Sequence, residues 1–465
     1  MERKVFISIL GTGFYKKCIY TADGFSCETN FIQQALIKYI DEKYERWKPS
    51  DEAIIFLTQK ARKDNWNKDI KERFCQRDGT TAEYHGLEEI LDNMGIAFRG
   101  VDIDDGKDNR QMWNIFESIF GQIQEGDRLF VDVTHSFRYL PMLLIVLTNY
   151  AKLLKNVSVE AILYGNFEAR DTETNTAPIM DLTQLSLLQD WTVAVSDYLQ
   201  YGHIEHLERL SKESLKPILR NPETRTNDTK SLRDFINRLK MTVDDIITCR
   251  GEKIMKGDNV RMLKKKANEI EDIAIVQMKP VFSKIKDSLN DFVYDSTNND
   301  DKEVNNIRNS IKAAKWCYSN KLYQQAITLL EEGVITLLCH YEGLDYYNPD
   351  ERGIITKCIK IKNSDIPEDK WDTKNAIEHD KIKTILNNSN VWEDKAFILT
   401  LGNIMTLRND YNHAGLNKNN NPSGAAKIIS NIEKLTNSIE IFFLPEKVSQ
   451  CHTTVQAVNY QHFTL

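Results

Sequence analysis

The sequence predicts an α/β Rossmann-like N-terminal domain, a parallel sheet with helices on both faces, followed by an all-α region. Three observations carry that reading. Short apolar runs alternate with longer amphipathic segments through the first 185 or so residues. Strand signals stop after Asp181, where helical spacing takes over. A polar stretch poor in apolar residues, "YDSTNNDDKEVNN" (294–306), then marks a linker or domain edge within the helical part.

The elements follow in order. "KVFISIL" (4–10) opens the chain as a strand, with no charged-then-apolar layout of a signal peptide before it. A helix over 28–47 leads to the strand "EAIIFLT" (52–58), and a helix over 66–77 to the strand "AFRGVDI" (97–103). A helix over 108–124 precedes "DRLFVDVT" (127–134), and a helix over 137–155 precedes "VEAILYG" (159–165). "APIMDLT" (177–183) is a candidate sixth strand. The most apolar run, "LPMLLIVL" (140–147), is far too short to span a bilayer and reads as a buried helix. Beyond Leu182 the helical segments include 316–342, 391–413 and 425–443, the last two separated by the loop "NKNNNPSG".

Composition bounds the function. At 465 residues the chain is too long for one ordinary core and suggests two or three domains. A balance of 61 basic against 68 acidic side chains, net −7, argues against wholesale coating of nucleic acid and leaves room for a local basic pocket. The eight cysteines contain no C-x-x-C pair, so neither a disulfide framework nor a zinc site is expected, and a reducing cytoplasm is the natural compartment.

In an open parallel sheet, ligands bind beyond the carboxyl ends of the strands. "LGTGFYKK" follows the first strand, and Gly11 and Gly13 there permit tight turns and close approach of a ligand. "VDVTHSFRYLP" follows the fourth. It supplies hydroxyls at Thr134 and Ser136, an imidazole at His135 and a guanidinium at Arg138, with Pro141 tolerated near a helix start. Ser136 could equally be a helix cap, and the dinucleotide and Walker fingerprints are both absent.

The segment "LFVDVTHSFRYLPM" resembles the signature of the CARF domains of CRISPR-associated proteins, and the early Gly-Thr-Gly loop is similar to that family's other ligand-facing loop. The resemblance spans about the first 185 residues. It implies a Rossmann-like sensor of cyclic oligoadenylates made by type III interference complexes, with one pocket formed across the two-fold axis of a dimer. Carried over by position, Gly11, Thr12 and Gly13 would contact one part of the ring, and Thr134, His135, Ser136 and Arg138 another.

CARF sensors are often fused to HEPN nucleases, whose helical domain carries an Arg-x4–6-His motif. "RNDYNH", following the apolar helix "AFILTLGNIMTL", resembles that motif, with Arg408, His413 and the polar Asn409 directly after the arginine. With nine histidines in the chain, chance alone supplies an Arg-x4-His in about one such sequence in three. The agreement of two separate resemblances in the family's order is what raises it above chance. The implied division is a CARF sensor over 1–184, a helical linker region over 185–300 and a HEPN ribonuclease domain over 301–465.

The chemistry fits those side chains without a metal or other cofactor. Cutting RNA needs activation of a 2′-OH, relief of phosphorane charge and protonation of the leaving 5′-oxygen. Histidine shuttles protons near neutral pH, and arginine clamps phosphate oxygens with a planar fork. The resemblance implies products with 2′,3′-cyclic phosphate and 5′-hydroxyl ends. Five residues of ideal helix place Arg408 and His413 about 140° apart. Either the helix ends before His413, with Gly415 as a stop, or a second copy completes the site. The expectation is therefore a cytoplasmic homodimer, with higher oligomers left open and no membrane association. Cyclic tetra-adenylate is the preferred activator, cyclic hexa-adenylate the second, and single-stranded RNA the substrate. Two alternatives stay open: a ligand-binding regulator with a non-catalytic helical domain, and a sensor that also degrades its own activator.

Other signals are discounted. Arg128 and His135 satisfy Arg-x6-His, but along a strand they stand roughly 23 Å apart on opposite faces. His203 and His206, the acidic Asp102, Asp104 and Asp105, and the lysine-rich 261–272 read as solvated polar surface. Trp316, Tyr318 and Tyr323 sit at helical spacing and read as core.

Overall fold

A computed structural model describes residues 3–70, 72–75, 80–135, 139–220, 227–270, 279–288, 302–388, 390–416 and 424–442. The chain divides into two compact units, Met1–Gln189 and Asp190–Leu465.

Unit one is built on an eight-stranded sheet. Its strands are β1 (Lys4–Leu10), β2 (Cys18–Ala22), β3 (Phe25–Thr29), β4 (Glu52–Leu57), β7 (Phe98–Asp102), β8 (Arg128–Asp132), β9 (Ser158–Gly165) and β10 (Thr176–Asp181); β5 (Glu72–Cys75) and β6 (Thr80–Glu83) form a separate antiparallel pair. The sheet order is β3-β2-β10-β9-β8-β1-β4-β7. The five strands from β9 to β7 are mutually parallel; β10 runs antiparallel to β9, and β3 antiparallel to β2. All seven residues of β1 are buried, as a central strand covered on both faces requires. Phe6 and Leu10 join one core with Leu36, Ile40, Leu87 and Leu91. Val5, Ile7 and Ile9 join the other, with Ile115, Ile119, Leu144 and Leu147.

The predicted strands are all present, with ends shifted by a residue or two. The helix expected over 66–77 is not: a short helical turn runs from Gln59 and closes as a π-turn, Arg62–Trp66, after which β5 begins. Strands β2 and β3 were also unforeseen, because a hairpin of five-residue strands leaves only a brief alternation. The helix Leu140–Lys155 is apolar all round only as far as Leu147, and only the face of Leu140, Leu143, Leu144, Leu147, Thr148 and Ala151 is buried. Met142, Val146, Tyr150 and Leu153 on the other side are 71%, 61%, 44% and 81% exposed. The expectation of a buried helix therefore holds for half of its circumference.

Unit two is all-helical among the described residues. The segment predicted as one helix over 316–342 is two, Lys302–Ser319 and Tyr323–Tyr341, broken where Lys321 takes a left-handed backbone. They cross where a Cβ on Gly333 would lie 3.0 Å from that of Ser310, a small-against-small contact. Trp316, Tyr318 and Tyr323 are half-buried rather than core: Trp316 covers Gly202, and the two tyrosine rings lie 5.8 Å apart.

Candidate functional site

Strand order reverses at β1: the chain proceeds outward through β4 and β7, then returns to the other side of β1 with β8 and β9. That switch point opens a crevice at the carboxyl ends of β1 and β8. Gly11–Gly13 leave β1 there, and Thr134 and His135 leave β8 beside them.

The glycine loop is held from below. Asn65, wholly buried in the π-turn, donates its amide to the carbonyls of Gly11 at 2.7 Å and Gly13 at 2.9 Å. Its own carbonyl accepts the Tyr84 hydroxyl at 2.9 Å. The wider π-turn, closed by Asn67 N–H to Arg62 C=O, is a local irregularity often found at functional sites. Neither Gly11 nor Gly13 uses a left-handed backbone, so tight turning is not their reason. A side chain at Gly11 would come 2.9 Å from the Tyr15 hydroxyl, whereas the space beside Gly13 is open. Tyr15 joins the two loops: its hydroxyl accepts the Gly11 N–H at 2.8 Å, and its ring meets His135 edge-on at 4.5 Å.

The second loop is anchored through Asp132, 2% exposed. Burial raises the pKa of its carboxyl, opposed by donors from Thr134 N–H at 2.8 Å and Ser8 hydroxyl at 2.7 Å. Thr134 is turned to structural use, its hydroxyl accepting the Gly165 N–H at 2.8 Å. Burial pushes the His135 imidazole down to about 4, so it is neutral near pH 7. Its Nε2 is out of contact with solvent and has no hydrogen-bond partner among the described residues. Ser136 and Arg138 lie outside the described residues.

A cavity of about 110 Å³ brings Gly11, Gly13 and His135 together with Tyr15, Lys16, Asn30 and Phe167. Thr12 and Thr134 are not among its lining residues. Sequence reasoning overlooked Tyr15, Lys16, Asn30 and Phe167. The first two stand in the quoted glycine loop, but Asn30 and Phe167 reach the cavity through β3 and the turn after β9, which no local pattern announces.

In unit two, the helix Lys395–Asn412 begins at Asp394, whose carboxylate caps Phe397 N–H at 3.0 Å. Phe397, Leu401 and Ile404 form its buried stripe, and Arg408 occupies the next position of that stripe. Its guanidinium is thereby driven toward the helix Tyr323–Tyr341, where Glu331 meets its Nε at 3.4 Å. Asn409 and His413 are exposed. The helix ends at Asn412 with His413 as its C-cap. Gly415 N–H bonds Asp410 C=O at 2.9 Å and Ala414 N–H bonds Tyr411 C=O at 3.1 Å, a Schellman closure. The left-handed position in that motif belongs to Ala414, with φ of 53°, one residue before the glycine expected to stop the helix.

Glu331 carried no sequence signal, since it is one of two adjacent glutamates in a helix far from the motif. Burial pushes its carboxyl up to about 7, with Arg408 pulling it back.

The discounted signals have ordinary partners. Arg128 is held by Glu45 and Glu160 at the start of β8, away from His135. Asp102 pairs with Arg62, Asp104 accepts from Asn114, Asp105 pairs with Lys107, and His203 meets Asp197. Among the described residues no three His, Cys, Asp or Glu are gathered as a metal site, and no helix is long and apolar enough to cross a membrane.

By fold and crevice, the first unit is a Rossmann-like domain, of the open α/β class whose ligand crevices lie at the switch point of strand order. Residues 5–168 match the family model for the CARF domain of the CRISPR system endoribonuclease Csx1. CRISPR-associated protein MJ1674 of Methanocaldococcus jannaschii is 25% identical over 249 residues, 51% of this chain and 34% of that protein. The chain thus spans about a third of the length of that curated relative. A solved structure, Enterococcus italicus Csm6 bound to cyclic hexa-2′-fluoro-hexa-dAMP, aligns over 98% of both chains at 12% identity with a TM-score of 0.42. At that TM-score the likeness carries no part of the assignment.

Proposed function

We propose that the chain is a cyclic-oligoadenylate-activated, metal-independent endoribonuclease of type III CRISPR antiviral defence. The observation that carries this reading is the crevice between the Gly11–Gly13 and Thr134–His135 loops, in a domain that matches the Csx1 CARF family model. The cavity takes one adenine of the ring, and two copies related by a two-fold axis supply the remainder. Cyclic tetra-adenylate is the preferred activator and cyclic hexa-adenylate the second.

The helical unit is the effector. Arg408 stabilises charge on the scissile phosphate, His413 moves protons to or from the 2′-OH and 5′-oxygen, and Asn409 orients one of the two. Placement of His413 at a helix end, exposed and not committed to a helix face, favours a composite site made by two chain copies. The uncovered stripe Met142, Val146, Tyr150 and Leu153 suits a self-associating surface of the sensor domain. Activation is a two-state shift, in which ligand binds the competent dimer better than the idle one.

The test is cleavage of a fluorescent single-stranded RNA with and without each cyclic oligoadenylate, with the product ends analysed. Ligand-dependent cutting to 2′,3′-cyclic phosphate ends, lost in His413→Ala, is the expected result. Cleavage that ignores ligand, or survives His413→Ala, overturns the reading.

A further inference from the structure

Arg408 is placed by an anion that no motif records. Its side chain is 35% exposed, and its Nε has no hydrogen-bond partner among the described residues; its one described ionic partner is Glu331, whose side chain is 10% exposed. The contact engages Nε, leaving the outer edge of the fork for a phosphate. The same two helices are joined near their ends by Gln324 donating to Asn412 at 3.3 Å, which fixes their register next to His413.

Resting on the nuclease reading above, we propose that Glu331 is a positioning residue of that site: its carboxylate grips the Nε edge of Arg408 and aims the fork at the RNA phosphate. A buried carboxylate is costly without such a duty, and the other buried residues of this helix are mostly apolar. Glu331 faces Arg408 and Arg352, which favour its anion, and Glu332, which opposes it. Glu332 is itself paired with Arg352, which leaves Arg408 to Glu331. Burial is the largest influence and pushes the Glu331 carboxyl up to about 7. The grip therefore exists above about pH 7 and weakens below it as the carboxyl takes up a proton.

The experiment compares full-length wild type, Glu331→Gln and Glu331→Asp, each with activating ligand, by kcat, KM and the pH profile of kcat. Loss of one charge-assisted contact predicts a fall in kcat of about 10- to 100-fold for Glu331→Gln with KM little changed. Beyond any pH dependence from His413, which is common to all three proteins, the wild-type kcat gains a limb that rises through about pH 7; Glu331→Gln lacks that limb, and Glu331→Asp keeps it with an intermediate kcat. A merely structural role predicts a lower unfolding temperature with kcat per folded molecule and pH profile intact, and that result overturns the assignment of Glu331 alone. Absence of ligand-stimulated cleavage by the wild type overturns the nuclease reading and this one with it. Should Glu331→Gln not fold, the reduced kcat and retained limb of Glu331→Asp decide on their own.

Discussion

Replacing Asn65 with alanine should loosen the glycine loop from beneath, and the structure sets the size of the effect. Asn65 supplies two donors, to Gly11 and Gly13, and one acceptor, to the Tyr84 hydroxyl. Tyr84 is 1% exposed, so loss of its acceptor costs about 1–3 kcal/mol. The two loop carbonyls border a cavity where water can replace the amide, and they cost about 0.5–1 kcal/mol each. The sum, about 2–5 kcal/mol, lowers the unfolding temperature of a domain this size by about 5–15 °C. Tyr84→Phe removes one bond and leaves the loop carbonyls paired, so its cost should stay within about 1–3 kcal/mol. Differential scanning calorimetry of the full chain checks the stability, and titration with cyclic tetra-adenylate checks binding, where the unpinned loop should weaken affinity at least about tenfold. A shift below about 2 °C in Asn65→Ala, or an affinity equal to wild type, would refute the claim that this buried amide organises the loop.

Two further outcomes follow from the same geometry. Ala414 carries the left-handed turn of a helix stop, at a cost of about 1 kcal/mol that glycine does not incur; Ala414→Gly should raise the unfolding temperature of the helical unit by a few degrees, whereas Gly415→Ala, at φ of 69°, should lower it. Val146→Asp, on the uncovered stripe, should leave the fold intact but weaken self-association by about 3 kcal/mol, roughly 100-fold in dimer Kd, as measured by sedimentation; an unchanged dimer would place the interface elsewhere.

Much of the fold was legible because its signals are local. A fully buried parallel strand such as β1 reads as an unbroken apolar run, and the strand-end loops announce themselves by glycine and by polar residues just past such runs. The short β2–β3 hairpin and the π-turn were not legible. The first is too brief for a period, and the second depends on Asn65 reaching the glycine loop from 52 to 54 residues away. Thr134 shows a related limit: a hydroxyl in a candidate ligand loop is bound to the backbone of Gly165. That choice depends on β9 lying beside β8, which residue type does not reveal.

The amino-acid sequence by itself determined the alternation of strand and helix, the two polar loops past β1 and β8, and the Arg408 and His413 pair near a helix end. Each is encoded in neighbours along the chain, through hydrophobic period, turn chemistry and residue type. Only the tertiary structure decided which side chains meet: Asn65 beneath the glycine loop, Tyr15 against His135, and Glu331 beside Arg408. Those contacts join residues 52, 120 and 77 positions apart, at the closest, and come from packing of whole elements. The same packing exposes half of an apolar helix, because one face fills the core of its own chain while nothing in that domain covers the other.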